Sequence, residues 1–127
     1  MPTTAKQLLE AANAAVPKIS GKEAQEMVAK GALLVDVRDG TEVAATGKAT
    51  GALHIPRGSL EFKADLTAPS ADKNFALDKP VILHCASGGR AALAGKLLKD
   101  MGYEKVYNLG GFKDWVEAGG KVDKPGT

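Results

Sequence analysis

The sequence predicts an α/β domain of three layers, a parallel five-stranded sheet flanked by helices on both faces. Two observations lead there. Short apolar runs alternate along the chain with segments of helical periodicity, the pattern of strands joined by crossover helices. Two of those runs, Leu33 to Val37 and Val81 to Leu83, lack regular polar alternation, as suits parallel strands covered on both sides. With 127 residues, 44% apolar and 25% charged, the chain fits one globular domain able to bury its own core.

Residues 5–16 carry Leu8, Leu9, Ala12 and Val16 near one helical face, and Pro17 ends the run. Residues 1–15 therefore read as a helical extension packed on the domain; a partner-binding or dimer helix is the other reading. Ile19 sits on a first short strand. Ser20 and Glu23 have the spacing of a capping box, in which each side chain satisfies the other residue's free amide. Ala24, Met27 and Val28 form the buried stripe of that helix, and Gly31 stops it. Leu33 to Val37 is the second strand, interrupted only by Asp36. Thr41 to Ala45 reads as a short helix ended by Gly47, and Ala52 to Ile55 as a third strand stopped by Pro56. Ser59 caps a predicted helix running to Leu66. A polar connection, Thr67 to Pro80, leads to the fourth strand, Val81 to His84. Leu93, Ala94, Leu97, Leu98 and Met101 recur at helical spacing between Arg90 and Met101. Gly95 within that helix costs roughly 1 kcal/mol against alanine, which close packing on the sheet would justify. Val106 to Leu109 is the fifth strand. Phe112, Trp115 and Val116 give the last helix a core face, and residues 121–127 form a tail.

Composition excludes several function classes. The net charge of +2 comes from interspersed acids and bases, with no arginine-aromatic patch, so no nucleic-acid partner is expected. One cysteine and two histidines away from ligand spacing build neither an internal disulfide nor a zinc centre, so no metal is expected. No apolar stretch approaches the roughly 20 residues that span a bilayer, so no membrane partner is expected. Glu10 and Asn13 interrupt what would be the apolar core of a signal peptide. A reducing, cytoplasmic setting is the expectation.

The chemistry points to Cys85. It stands where the fourth strand gives way to Ala86-Ser87-Gly88-Gly89-Arg90, which opens a helix. The glycines allow a tight turn that aims backbone N–H groups inward, and the helix adds its own free amides and positive dipole end. Such a cradle stabilises a thiolate, a persulfide or an oxyanion, and thiols so placed titrate well below their ordinary range. Sites in open parallel sheets form beyond the carboxyl ends of the strands. Asp36 and Arg38 close the second strand there, and Arg57 follows the third. Arg57 and Arg38 either draw an anionic substrate or are solvated surface groups. Ser87 either donates a hydroxyl or is merely small. His84 precedes the cysteine but faces the opposite side of the strand, as a supporting or packing residue rather than its base. His54 is expected on a strand with a satisfied hydrogen bond.

Together, LLVDVRD, GALHIP, HCASGGRA, MGY and NLGGFKDW resemble the single-domain rhodaneses, over residues 16–120. The resemblance implies the five-stranded fold and a sulfurtransferase that needs no metal or organic cofactor. It implies that Cys85 attacks a sulfane sulfur, typically of thiosulfate, becomes a persulfide cradled by the amides of residues 86–90, and passes the outer sulfur to cyanide or a thiol. The partners would be a small-molecule sulfur donor and a thiol or cyanide acceptor, or a protein sulfur acceptor. The family's strand order puts Asp36 beside the fourth strand, where Arg90 or local backbone amides would partner its carboxylate, unless Arg90 binds substrate anion. Phosphatases of the same fold have a longer loop between cysteine and arginine than the four residues here, and Asp65 and Asp72 are general-acid candidates only by sequence proximity. A non-catalytic binding module and a phosphatase or arsenate reductase are the alternatives. Many family members have His-Ile-Pro-Gly where this chain has Lys48-Ala49-Thr50-Gly51.

Overall fold

A computed structural model describes residues 2–125. In chain order the elements are α1 (Ala5–Ala15), α2 (Gly21–Ala29), β1 (Leu33–Asp36), α3 (Gly40–Thr46), β2 (Lys48–Ala49) and β3 (Leu53–His54). A 3-10 turn (Arg57–Ser59) then leads to α4 (Leu60–Ala64), β4 (Val81–Cys85), α5 (Gly89–Asp100), β5 (Val106–Gly111), α6 (Phe112–Glu117) and β6 (Val122–Asp123). The main sheet is wholly parallel, in the order β3-β1-β4-β5.

This sheet has four strands rather than the expected five. The first expected strand, around Ile19, survives as one parallel bridge between Lys18 and Asn108. Its backbone does pair with β5: Ile19 N–H donates to Asn108 O at 3.0 Å and Asn108 N–H to Pro17 O at 2.9 Å. Pro17 has no N–H to extend the ladder, and Ser20 already caps α2, so the segment is too short to grow into a strand.

The central strands are buried on both faces, as their apolar runs foretold. Val35, Val37, Leu83 and Cys85 join Leu60, Ala91, Ala94, Leu98 and Tyr103 in one core layer, beneath α4 and α5. Leu34, Ile82 and Leu109 join Ala24 and Trp115 in the other, beneath α2 and α6. His84 follows the second set, its ring 6.2 Å from that of Phe112 on α6. Neighbouring His84 and Cys85 therefore face opposite layers, as strand geometry requires.

Capping is local and strong. Ser20 N–H donates to Glu23 Oε1 at 2.9 Å while Glu23 N–H donates to Ser20 Oγ at 3.1 Å. Thr4 and Gln7 close a second such box at the start of α1. That helix packs on α5, where a β-carbon at Gly95 would stand 2.9 Å from the Val16 γ-methyls. The glycine is thus explained by helix packing against Val16, with β5 just behind.

Several boundaries differ from expectation. The helix expected from Ser59 to Leu66 is a 3-10 turn plus five residues, because Asp65 turns outward and accepts Thr67 N–H at 3.0 Å. Val116 is exposed, and Leu8 is half exposed. Val122–Asp123, in the segment read as a tail, pairs antiparallel with Lys48–Ala49. No described helix is long and apolar enough to cross a membrane.

Candidate active site

Cys85 ends β4 and is buried, with its Sγ accepting the Gly88 N–H at 3.0 Å. A sulfur so placed lies at the carboxyl edge of the sheet, where β4 breaks off and α5 begins. Ala86 and Ser87 form the exposed rim of the loop. Gly88 caps α5 with φ of +106°, a conformation that L side chains rarely adopt.

The loop rests on the end of β5. The β4–β5 register slips between Leu83 and His84, so that Leu109 is skipped and Cys85 faces Gly111. Gly110, at φ +99°, makes this bulge, and Asn108 Oδ1 holds its N–H at 2.7 Å. Gly111 must be glycine for another reason: a β-carbon there would overlap the Ala86 carbonyl oxygen at 2.3 Å. Asn108, 4% exposed, also donates from Nδ2 to the Gly88 carbonyl at 3.3 Å. One side chain thereby ties the bulge to the cysteine loop. The sequence reading missed Asn108, although it stands in the NLGG motif at the end of an apolar strand, where a polar residue is itself a signal.

Arg90 does not pair with Asp36. Its Nη1 and Nη2 donate to the two carboxylate oxygens of Glu42 at 2.6 and 2.9 Å. Glu42 also accepts Asp39 N–H at 3.1 Å, so one carboxylate joins the start of α3 to the first turn of α5. The Arg90 hydrogen bonds, followed by that amide, pull the Glu42 carboxyl down to about 2. Glu42 was missed because its partner lies 48 residues away, beyond any local pattern.

Asp36 and Arg38 form their own closed unit. Both are buried, at 0% and 2% exposure, so Arg38 is not a surface group. Arg38 donates through Nε and Nη2 to Asp36, the shortest contact being 2.8 Å, and also to Thr46 Oγ1 and Gly47 O. Its guanidinium stacks 4.4 Å from the Phe112 ring centre. Burial raises the Asp36 carboxyl, but hydrogen bonds from Arg38 and the field of His84 outweigh it, and the net shift is downward. His54 Nε2 lies 2.8 Å from the Arg38 carbonyl oxygen, the satisfied strand histidine that was expected. His84 Nδ1 is 3.4 Å from the Cys85 carbonyl, while Nε2 has no hydrogen-bond partner among the described residues. Desolvation holds its imidazole below the ordinary range, against the pull of Asp36.

Arg57 pairs instead with Glu61 at 3.4 Å and borders a groove formed by α1 and α5. Asp65 and Asp72 spend their carboxylates on turn hydrogen bonds to Thr67 and Asn74. The structure thus groups Cys85 with residues 86–90, and sets Asp36 and Arg38 as a buried clamp behind them.

The model of the rhodanese-like domain matches residues 20–118. The chain belongs to the rhodanese-like family. Among its relatives, a thiosulfate sulfurtransferase GlpE from Ectopseudomonas mendocina is 36% identical over 99 residues, 77% of this chain and 83% of that one. A Wolinella succinogenes polysulfide-sulfur transferase, a homodimer in solution, is 37% identical with a TM-score of 0.71, covering 90% of this chain and 82% of that one. A Rhodopseudomonas palustris protein of unknown function, described as a possible tyrosine phosphatase, is 36% identical with a TM-score of 0.84, covering 97% of this chain and 99% of that one. A four-stranded rhodanese-like sheet carries the cysteine loop of this chain.

Proposed function

We propose that the protein is a sulfurtransferase that carries sulfane sulfur on Cys85. The Sγ thiolate attacks the sulfane sulfur of thiosulfate or of a persulfide. A new S–S bond forms to Cys85 as the donor's own S–S bond breaks, and the departing sulfite or thiolate keeps the electron pair. An acceptor thiolate or cyanide then attacks the outer sulfur, and Sγ leaves with its electrons. The Gly88 N–H at 3.0 Å stabilises the sulfur in both half-reactions, which share one covalent intermediate and predict ping-pong kinetics. The acceptor thiol is a small molecule or is carried on a protein, and a reducing compartment keeps Cys85 ready.

The carrying observation is the state of Arg90. A phosphatase of this fold needs its loop arginine to hold the phosphoryl oxygens. Here both terminal nitrogens of Arg90 are committed to Glu42, and the loop has only four residues between Cys85 and Arg90. That favours a single sulfur over a tetrahedral oxyanion.

Intact-mass analysis after thiosulfate treatment tests this. The expected result is a gain of one sulfur atom, reversed by cyanide with release of thiocyanate and absent in Cys85→Ser. Hydrolysis of an aryl phosphate without any persulfide would instead establish the phosphatase reading.

A further inference from the structure

An open cleft of about 300 Å³ runs beside the cysteine loop. One wall is the loop and the start of α5, Ser87, Gly88, Gly89 and Ala92; the other is α1, through Leu9 and Asn13, with Lys18 and Asn108 completing it. Among the described residues, no acidic one lines it. Lys18 lies against Gly110, its Nζ about 3.2 Å from where a β-carbon would stand, and makes no ion pair among the described residues. Asp114 packs on the same side of Gly110, where its carboxylate accepts Gly111 N–H at 2.8 Å; Lys18 also borders the neighbouring cleft, which Asp114 and Glu117 line, so it stands between an acidic cleft and this one. Asn108 is almost fully buried, and the second N–H of its side-chain amide has no acceptor among the described residues. Both α1 and Lys18 precede residue 20, where the match to the family model begins.

We infer that α1 and Lys18 give this chain an anion-binding subsite for the sulfur acceptor, selecting small thiols that bear a carboxylate. The inference rests on the sulfurtransferase reading. A cyanide ion would leave most of the cleft empty, whereas a peptide-sized thiol fills it. With its carboxylate at Lys18 and the spare Asn108 donor, such a molecule lies alongside the exposed rim of the loop. The positive end of α5 adds to the same field. Lys18 acts on specificity and leaves the sulfur-transfer step itself to the loop.

Full-length protein, Lys18→Gln and the control Lys22→Gln are compared at low salt. Sulfur transfer to glutathione, an anionic peptide thiol, is measured beside transfer to dithiothreitol, a neutral one. In Lys18→Gln the KM for glutathione should rise about threefold to fivefold, the size of one exposed ion pair, with kcat and the dithiothreitol KM unchanged. Lys22→Gln should match wild type. Calorimetric binding of S-methylglutathione, which cannot accept sulfur, reads the subsite without turnover, and should weaken by the same factor in Lys18→Gln. Equal KM changes for both thiols, or undiminished S-methylglutathione binding, overturns the inference while persulfide formation leaves the parent reading intact. If wild type forms no persulfide, the acceptor role falls with the parent reading, whatever the binding data show.

Discussion

Glu42 is expected to anchor Arg90, and so the start of α5, by an interaction that titrates. Its carboxyl moves from 4.5 to about 2 in the folded protein, through the Arg90 hydrogen bonds first and the Asp39 amide second. Taken whole, that shift corresponds to roughly 3 kcal/mol. Both side chains are about a third exposed, at 36% for Arg90 and 32% for Glu42, so water screens the pair. An effective value of about 1–2 kcal/mol follows. Glu42→Gln should therefore lower Tm by about 4–8 °C in a domain of this size. Because the folded carboxyl is the stronger acid, its stabilisation is fully present above about pH 4.5 and is lost as pH falls towards 2. Urea denaturation of wild type, Glu42→Gln, Arg90→Met and the double variant across that range measures both effects. The coupling energy should be about 1 kcal/mol at neutral pH and should vanish in acid. Persulfide formation in Arg90→Met should keep a KM for thiosulfate within about threefold of wild type. A negligible coupling energy, together with a KM raised about tenfold or more, would show that Arg90 binds substrate and refute the anchoring argument.

Three further outcomes are expected. Asp36→Asn strands the buried Arg38 charge and should cost about 3–5 kcal/mol in chemical denaturation, whereas a loss under about 1 kcal/mol would show the clamp to be dispensable. Gly111→Ala drives a methyl into the Ala86 carbonyl and should slow sulfur loading of Cys85 in stopped mass-spectrometric time courses; wild-type loading would contradict the close packing on β5. His84 should titrate below its ordinary 6.5 by NMR. Stability should then fall as pH drops below that value, because the unfolded chain takes up the proton first; a midpoint above 6.5 would count against the desolvated ring.

Much of the molecule was legible because it is encoded over a few residues. The Ser20–Glu23 box depends on a three-residue spacing and forms as read. The alternation along β4 that separates His84 from Cys85 needs only the two-residue period of a strand. The Cys85 loop, its glycines and its length are a continuous segment, and Gly88 N–H reaches Sγ across three residues. The errors arose where local and distant partners compete. Of the two partners the sequence leaves open for Asp36, Arg90 and local backbone amides, the local one wins: Arg38, two residues on, satisfies it through backbone N–H and side chain. The first expected strand, around Ile19, shrinks to a single bridge because Pro17 and the Ser20 cap leave no room for a ladder.

By itself, the sequence determined a parallel α/β fold and the single thiol at the end of its fourth predicted strand, since periodicity, capping and turn chemistry are short-range. Tertiary structure decided which groups meet that loop. Glu42 reaches Arg90 across 48 residues, Asn108 reaches Gly88 across 20, and Lys18 comes to the edge of the cleft because its backbone bridges to Asn108 on β5. Hydrogen bonds and ion pairs act over a few ångströms of space, and only the packed sheet brings such distant parts of the chain within that range.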